Sequence, residues 1–139
     1  MIGKIKYFLI VGFVLILGGC SLNDDGPNFH FTALEIVSAE LPDAFELNET
    51  YRIDVTFNLP NGCTSFNGFD VTQEDTTVRN VVVFGAVRTD IDDCSEELVQ
   101  EESFFNFVVV HNEPYLFKFY QGENSEGEPE FFEVTVPVN

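Results

Sequence analysis

From Phe29 onward, apolar and polar residues alternate with a period of two, the spacing of strands that bury one face. The clearest stretch is Thr50 to Leu59. There Tyr51, Ile53, Val55, Phe57 and Leu59 fall on one side, Arg52, Asp54, Thr56 and Asn58 fall on the other, and Pro60-Asn61-Gly62 ends the run as a turn. The same pattern predicts strands over His30 to Glu40, Val78 to Thr89, Leu98 to His111, Tyr115 to Gln121 and Phe131 to Val138. Long amphipathic helices are not expected, because β-branched and aromatic residues hold the apolar positions and the breaks come too often. An all-β chain of about six or seven short strands fits an Ig-like antiparallel β-sandwich, in which each sheet hides one face against the other. A small β-barrel is the alternative. With no Trp in the chain, the full Cys, Trp, Cys signature of an immunoglobulin domain is missing, so the likeness is one of architecture.

The stretch from Tyr7 to Leu17 is of another kind. It is unbroken by charge, follows Lys4 and Lys6, and is shorter than the roughly 20 apolar residues a spanning helix needs. It reads as the core of a signal peptide, with an uncleaved membrane anchor as the alternative. Leu17-Gly18-Gly19-Cys20, at its end, resembles the lipobox of bacterial lipoproteins. That resemblance implies a diacylglyceryl thioether on Cys20, cleavage just before it, and acylation of the new amino terminus. Each buried methylene contributes about 0.8 kcal/mol and one chain alone binds marginally, so two or three chains make a durable anchor. Residues 1–19 are then a removed leader, residues 20–28 a lipidated tether rich in Asn, Asp, Gly and Pro, and residues 29–139 a single domain. Asn23-Asp24-Asp25 resembles the acidic stretch after the lipidated cysteine of surface lipoproteins in the Bacteroidota, and Ser21 is consistent with the outer membrane. The same resemblance to uncharacterised lipoproteins of that phylum extends through Tyr115 to Gly122 and Phe131 to Val138 and brings no activity with it.

Charge narrows the range of partners. The leader holds two of the six basic residues and none of the 24 acidic ones, so four basic residues remain and the mature net charge is −20. Such a polyanion, lacking a Lys/Arg cluster, has no means of binding nucleic acid by counterion release, and it would not lie flat on an anionic leaflet. Cys63 and Cys94 form an even pair in an exported chain and are expected to form a disulfide. Closing a loop of about 30 residues is worth roughly 3–4 kcal/mol in the chain-entropy picture. Free thiols or half a metal site are the alternatives.

Catalytic patterns are scarce. The two histidines, His30 and His111, fall in separate predicted strands without a neighbouring nucleophile. With 24 acidic residues, any carboxylate pair is uninformative, and phosphate-binding, dinucleotide and His-containing zinc motifs are missing. The reading is therefore non-enzymatic and without cofactor. Calcium is the one metal considered, at Asp90, Asp92 and Asp93, although a solvated charge run explains the same residues.

Sixteen Phe and four Tyr are many for a domain of this size. Phe104, Phe105 and Phe107 cannot all point to one side. Coverage of both faces is the preferred explanation, and an exposed contact patch is the alternative. Tyr51, Tyr115 and Tyr120 are the expected contact residues, because a phenol tolerates water at its tip. Asp75-Thr76-Thr77 resembles the O-glycosylation motif of Bacteroidota, with Thr76 as acceptor and a plain polar turn as the other reading. The expected function is a non-catalytic envelope lipoprotein, anchored by lipid to the outer membrane and facing either the cell surface or the periplasm, whose sandwich binds a protein or glycan partner. A structural lipoprotein without a ligand is the alternative, and a hydrolytic enzyme comes third.

Overall fold

A computed structural model describes residue 19 and residues 28–139. Cys20, and almost all of the expected leader and tether, lie outside the described residues. Eight strands follow in chain order: β1 (Phe29–Leu34), β2 (Ile36–Glu40), β3 (Thr50–Leu59), β4 (Thr64–Asp75), β5 (Val78–Arg88), β6 (Val99–Val108), β7 (Tyr115–Glu123) and β8 (Pro129–Val136). They form a sandwich of a five-stranded sheet, with β4, β5, β1, β7 and β8, against a three-stranded sheet in the order β2-β3-β6. The barrel alternative is excluded, since neither sheet closes on itself.

Three features depart from the alternating pattern. His30 to Glu40 is two strands in different sheets: β1 pairs with β5, β2 pairs with β3, and the chain crosses between sheets at Glu35. Leu34 and Ile36 are both buried, so the period of two runs unbroken through the crossing and conceals it. Strand β4 was not anticipated. A bulge between Phe66 and Gly68 shifts the phase, so that Phe66 stacks on Phe57 and Phe69 meets Phe105. Two inward rings three residues apart therefore do not look like a strand in the sequence. Third, β5 and β7 are parallel, over Val78↔Leu116 to Val81↔Phe119, whereas every other named pair is antiparallel.

Strand β5 organises the larger sheet. Strand β4 pairs with it from Val78 to Val87, which occupies one edge. Strands β1 (Val83 to Arg88) and β7 (Val78 to Val81) must therefore share the other edge, end to end. The seam between them matters for the site described below.

The core is aromatic and β-branched: Ile53, Val55 and Phe57 from β3 meet Val81 and Val83 of β5 and Tyr115, Phe117 and Phe119 of β7. Phe45, in the β2–β3 connection, is fully buried and packs on Tyr51, Phe107, Tyr115 and Phe117. Its backbone clamps the carboxyl-terminal end. Phe45 N donates to Pro137 O at 2.8 Å, and Asn139 N donates to Phe45 O at 2.9 Å.

Cys63 and Cys94 are joined in a disulfide, with Cα atoms 5.4 Å apart. It fastens the β3–β4 turn to the β5–β6 connection, where Gly62 N also donates to Ser95 O at 2.8 Å.

Candidate functional site

Strand parity sets which rings reach solvent. Leu34 and Val83 are buried register partners, so Ala33 and Phe84, the adjacent pair, face outward together with Phe29 and Phe31. On β7, Tyr115, Phe117 and Phe119 are buried, which turns Tyr120 outward beside its register partner Phe131. The outer face of the five-stranded sheet thus carries two ring pairs. Phe29 and Phe31 meet edge to face at 5.3 Å, and Tyr120 and Phe131 do so at 5.9 Å. Among the described residues Phe31 is the most exposed aromatic side chain, at 57%. A half-exposed Phe leaves much apolar surface in water, so this grouping marks a contact surface better than scattered apolar residues would.

Beside Tyr120, where β1 leaves its sheet, a cleft of about 220 Å³ opens, lined by residues of both sheets. Ala33, Leu34, Pro60 and Leu98 give it apolar walls, while Thr32, Glu35, Asn58 and Tyr120 bring polar groups. Several local features hold it open. Asn58 N donates to Glu35 O at 3.0 Å, tying the end of β3 to the crossing. Beyond Tyr120, β7 bulges before Glu123, and Gly122 adopts a left-handed φ of 103°, a conformation that favours glycine. The side-chain oxygen of Asn58 is buried without a hydrogen-bond partner. Burial, and secondarily the carboxylate of Glu123, raises the Tyr120 phenol above its ordinary pKa, so at neutral pH it keeps its proton and can both donate and accept.

The residues singled out from sequence fare differently. Tyr120 lies on the site. Tyr51 is half-buried, its ring on Phe45 and its hydroxyl accepting from Glu46 N at 2.8 Å. Tyr115 is a correction: it is a core residue with no exposed surface, and its hydroxyl accepts from Val110 N and His111 N. Covered faces on β6 are a second correction, since Phe104 is 43% exposed, with the Arg52 guanidinium 3.8 Å from its ring centroid. Asp90 is engaged by Arg88 at 2.7 Å. Among the described residues no group of three His, Cys, Asp or Glu side chains is gathered in a way that could hold a metal, so Asp90, Asp92 and Asp93 do not converge. Thr76 sits exposed in the β4–β5 turn, where its N–H donates to Asp75 Oδ1. His30 is exposed on β1, while His111 stands half-buried beside Tyr115.

Sequence reasoning missed Phe29, Phe31, Asn58 and Leu98. In FHFTAL the parity of Phe29, Phe31 and Ala33 is more apolar than that of His30, Thr32 and Leu34, so alternation points Phe29 and Phe31 to the inner face. On β7, by contrast, Lys118 stands between Leu116 and Tyr120 and labels the outer face. Comparison with family models, curated proteins and solved structures finds no match.

Proposed function

We propose that this chain is a non-catalytic envelope lipoprotein, held by lipid on Cys20 at the outer membrane and facing the cell exterior, whose sandwich binds a glycan. The observation that carries the binding reading is the set of exposed rings on the outer face of the five-stranded sheet, Phe29 with Phe31 and Tyr120 with Phe131, of which Tyr120 also lines a cleft. The C–H faces of sugar rings lie against aromatic side chains, and sugar hydroxyls need the convergent polar groups that such a cleft supplies. The anchor reading is supported by the resemblance of Leu17 to Cys20 to a lipobox, and the acidic balance argues against nucleic acid.

A protein partner is the second reading, favoured by Leu98, Phe104, Val108 and Val110, all exposed along the edge strand β6 and just beyond its ends. Glu101 weighs against strand pairing there. It is the register partner of the buried Phe57, and a charge on the inward side of an edge strand opposes edge-to-edge addition. Thr76, accessible at its turn, serves as the acceptor if the chain is itself glycosylated.

Two measurements test the proposal. Cells fed labelled palmitate should label the wild-type chain and not Cys20→Ala; label on the variant refutes the anchor. The soluble Cys20→Ala mature chain should be retarded in gels containing envelope or host polysaccharides, and Phe29→Ser/Phe31→Ser should lose that retardation. Unchanged mobility of the wild type across a broad polysaccharide panel refutes glycan binding.

A further inference from the structure

We infer that the cleft beside Tyr120 holds a single neutral, hydroxyl-rich sugar ring, the terminal residue of the glycan that the aromatic face engages. The inference rests on the glycan reading above and specifies its ligand.

Size comes first. A volume of about 220 Å³ falls below the roughly 300–1,000 Å³ of pockets for drug-sized ligands. It suits one six-membered ring with its substituents and cannot enclose a chain, so the rest of the glycan must leave the cleft, and Tyr120 with its register partner Phe131 leads from it onto the sheet face.

Charge comes next. No Lys, Arg or His lines the cleft, and its one ionisable carboxylate is Glu35. A sugar acid or sulfated ring would bring an anion beside Glu35 inside a strongly acidic domain, without a cation to receive it. A neutral ring meets no such penalty.

Hydrogen bonding then selects the class. Asn58 Oδ1 is a buried acceptor without a partner, and a side-chain amide turns readily about its last torsion, so a ligand hydroxyl can complete it. The Tyr120 hydroxyl and Glu35 carboxylate add further acceptors, and the phenol also donates. Pro60 and Leu98 present the apolar wall that the C–H face of a ring requires. An all-hydrocarbon ligand would leave the Asn58 acceptor unsatisfied, whereas a hydroxyl-bearing ring answers both walls.

The test uses the soluble Cys20→Ala mature chain and the methyl glycosides of mannose, glucose and galactose, with N-acetylglucosamine and glucuronate, followed by backbone amide NMR. At least one neutral sugar should shift the amides of Asn58, Leu98 and Tyr120 with millimolar affinity, and glucuronate should bind at least tenfold more weakly. Tyr120→Ala and Asn58→Leu should each weaken that binding tenfold or more. Asn58→Leu should not lower the unfolding midpoint, because it replaces an unpaired polar group, and this separates a ligand contact from a structural role. If a polysaccharide binds and both variants retain wild-type affinity, the cleft assignment is wrong while the glycan reading stands. Glucuronate binding as tightly as the neutral sugars overturns the charge argument and the assignment with it. If no sugar or polysaccharide binds the wild type, both readings fall.

Discussion

The guanidinium of Arg79 lies 5.5 Å from the ring centroid of Tyr115, and these two side chains hold two separate chain reversals against one core. Arg79 Nη1 donates to the carbonyls of Asp75, Thr76 and Val78, each at 3.1 Å. The Tyr115 hydroxyl accepts from Val110 N at 3.2 Å and His111 N at 3.0 Å. A buried cation with no carboxylate in salt-bridge range among the described residues is sustained by these carbonyls and by the faces of Tyr115 and Phe107.

Removing either polar group should therefore be costly. Arg79→Met is expected to destabilise the domain by about 2–3 kcal/mol, the scale of hydrogen bonds to a charged group, and Tyr115→Phe by about 1–2 kcal/mol. Urea unfolding followed by tyrosine fluorescence or circular dichroism checks both. Wild-type stability in Arg79→Met would mean that the guanidinium is only tolerated in the core and does not hold the β4–β5 turn.

The β6 aromatics give a sharper contrast. Phe107 is buried, whereas Phe104 is half out in solvent under Arg52. Phe107→Ala should cost about 3–5 kcal/mol as a buried ring deletion. Phe104→Ala should cost about 1 kcal/mol or less, the worth of an exposed cation–π contact plus a little area. Equal losses in denaturant titration would show that both faces of β6 are covered after all.

What the sequence disclosed follows from the same geometry. Strand β3 was legible because its inward side is uniformly apolar and its outward side is Arg52, Asp54, Thr56 and Asn58. The crossing at Glu35 was not, since alternation is indifferent to which sheet receives the next residue. The phase shift at the β4 bulge hid a whole strand, and Phe45 gave no signal because its burial comes from a loop folding over the sandwich mouth. The Cys63–Cys94 pair needed only that these are the two cysteines beyond residue 20. Of the site, Tyr120 could be read from Lys118 two residues before it. The cleft depends on β1 and β7 meeting end to end along β5, a long-range relation that periodicity does not encode.

The Arg88–Asp90 pair predicts a pH response. The hydrogen bond from Arg88, with the guanidinium charge adding to it, holds the Asp90 carboxyl below the usual aspartate range. A carboxylate depressed in the folded state stabilises it at pH values above the unfolded pKa, and that contribution disappears as pH falls through the lowered folded value. Both side chains are exposed, so the effect is small and weakened by salt. A carboxyl NMR titration should place the Asp90 midpoint below the usual aspartate range in the wild type, and Arg88→Gln should bring it up into that range. No movement on that substitution would show that the pair does not persist in solution.

Gly85 tests whether the cleft wall is set by packing in the core. It is buried on β5, and a methyl group there would meet Leu34 Cδ1, Leu34 Cδ2 and Thr64 Cγ2, all at 3.0 Å. Those atoms belong to buried side chains on the two strands that flank β5, so the strain is relieved only if one of those side chains shifts. Overpacking of this kind costs about 1–3 kcal/mol, and Gly85→Ala should lower the denaturation midpoint accordingly. Leu34, which also lines the cleft, is the side chain able to yield outward. The amides of Ala33 to Glu35 and of Asn58 should therefore shift in Gly85→Ala, while those of the distant Thr76 turn stay in place. A destabilised variant with an unperturbed cleft would mean that Thr64 gives way instead, and that the wall of the cleft is fixed independently of the core behind it.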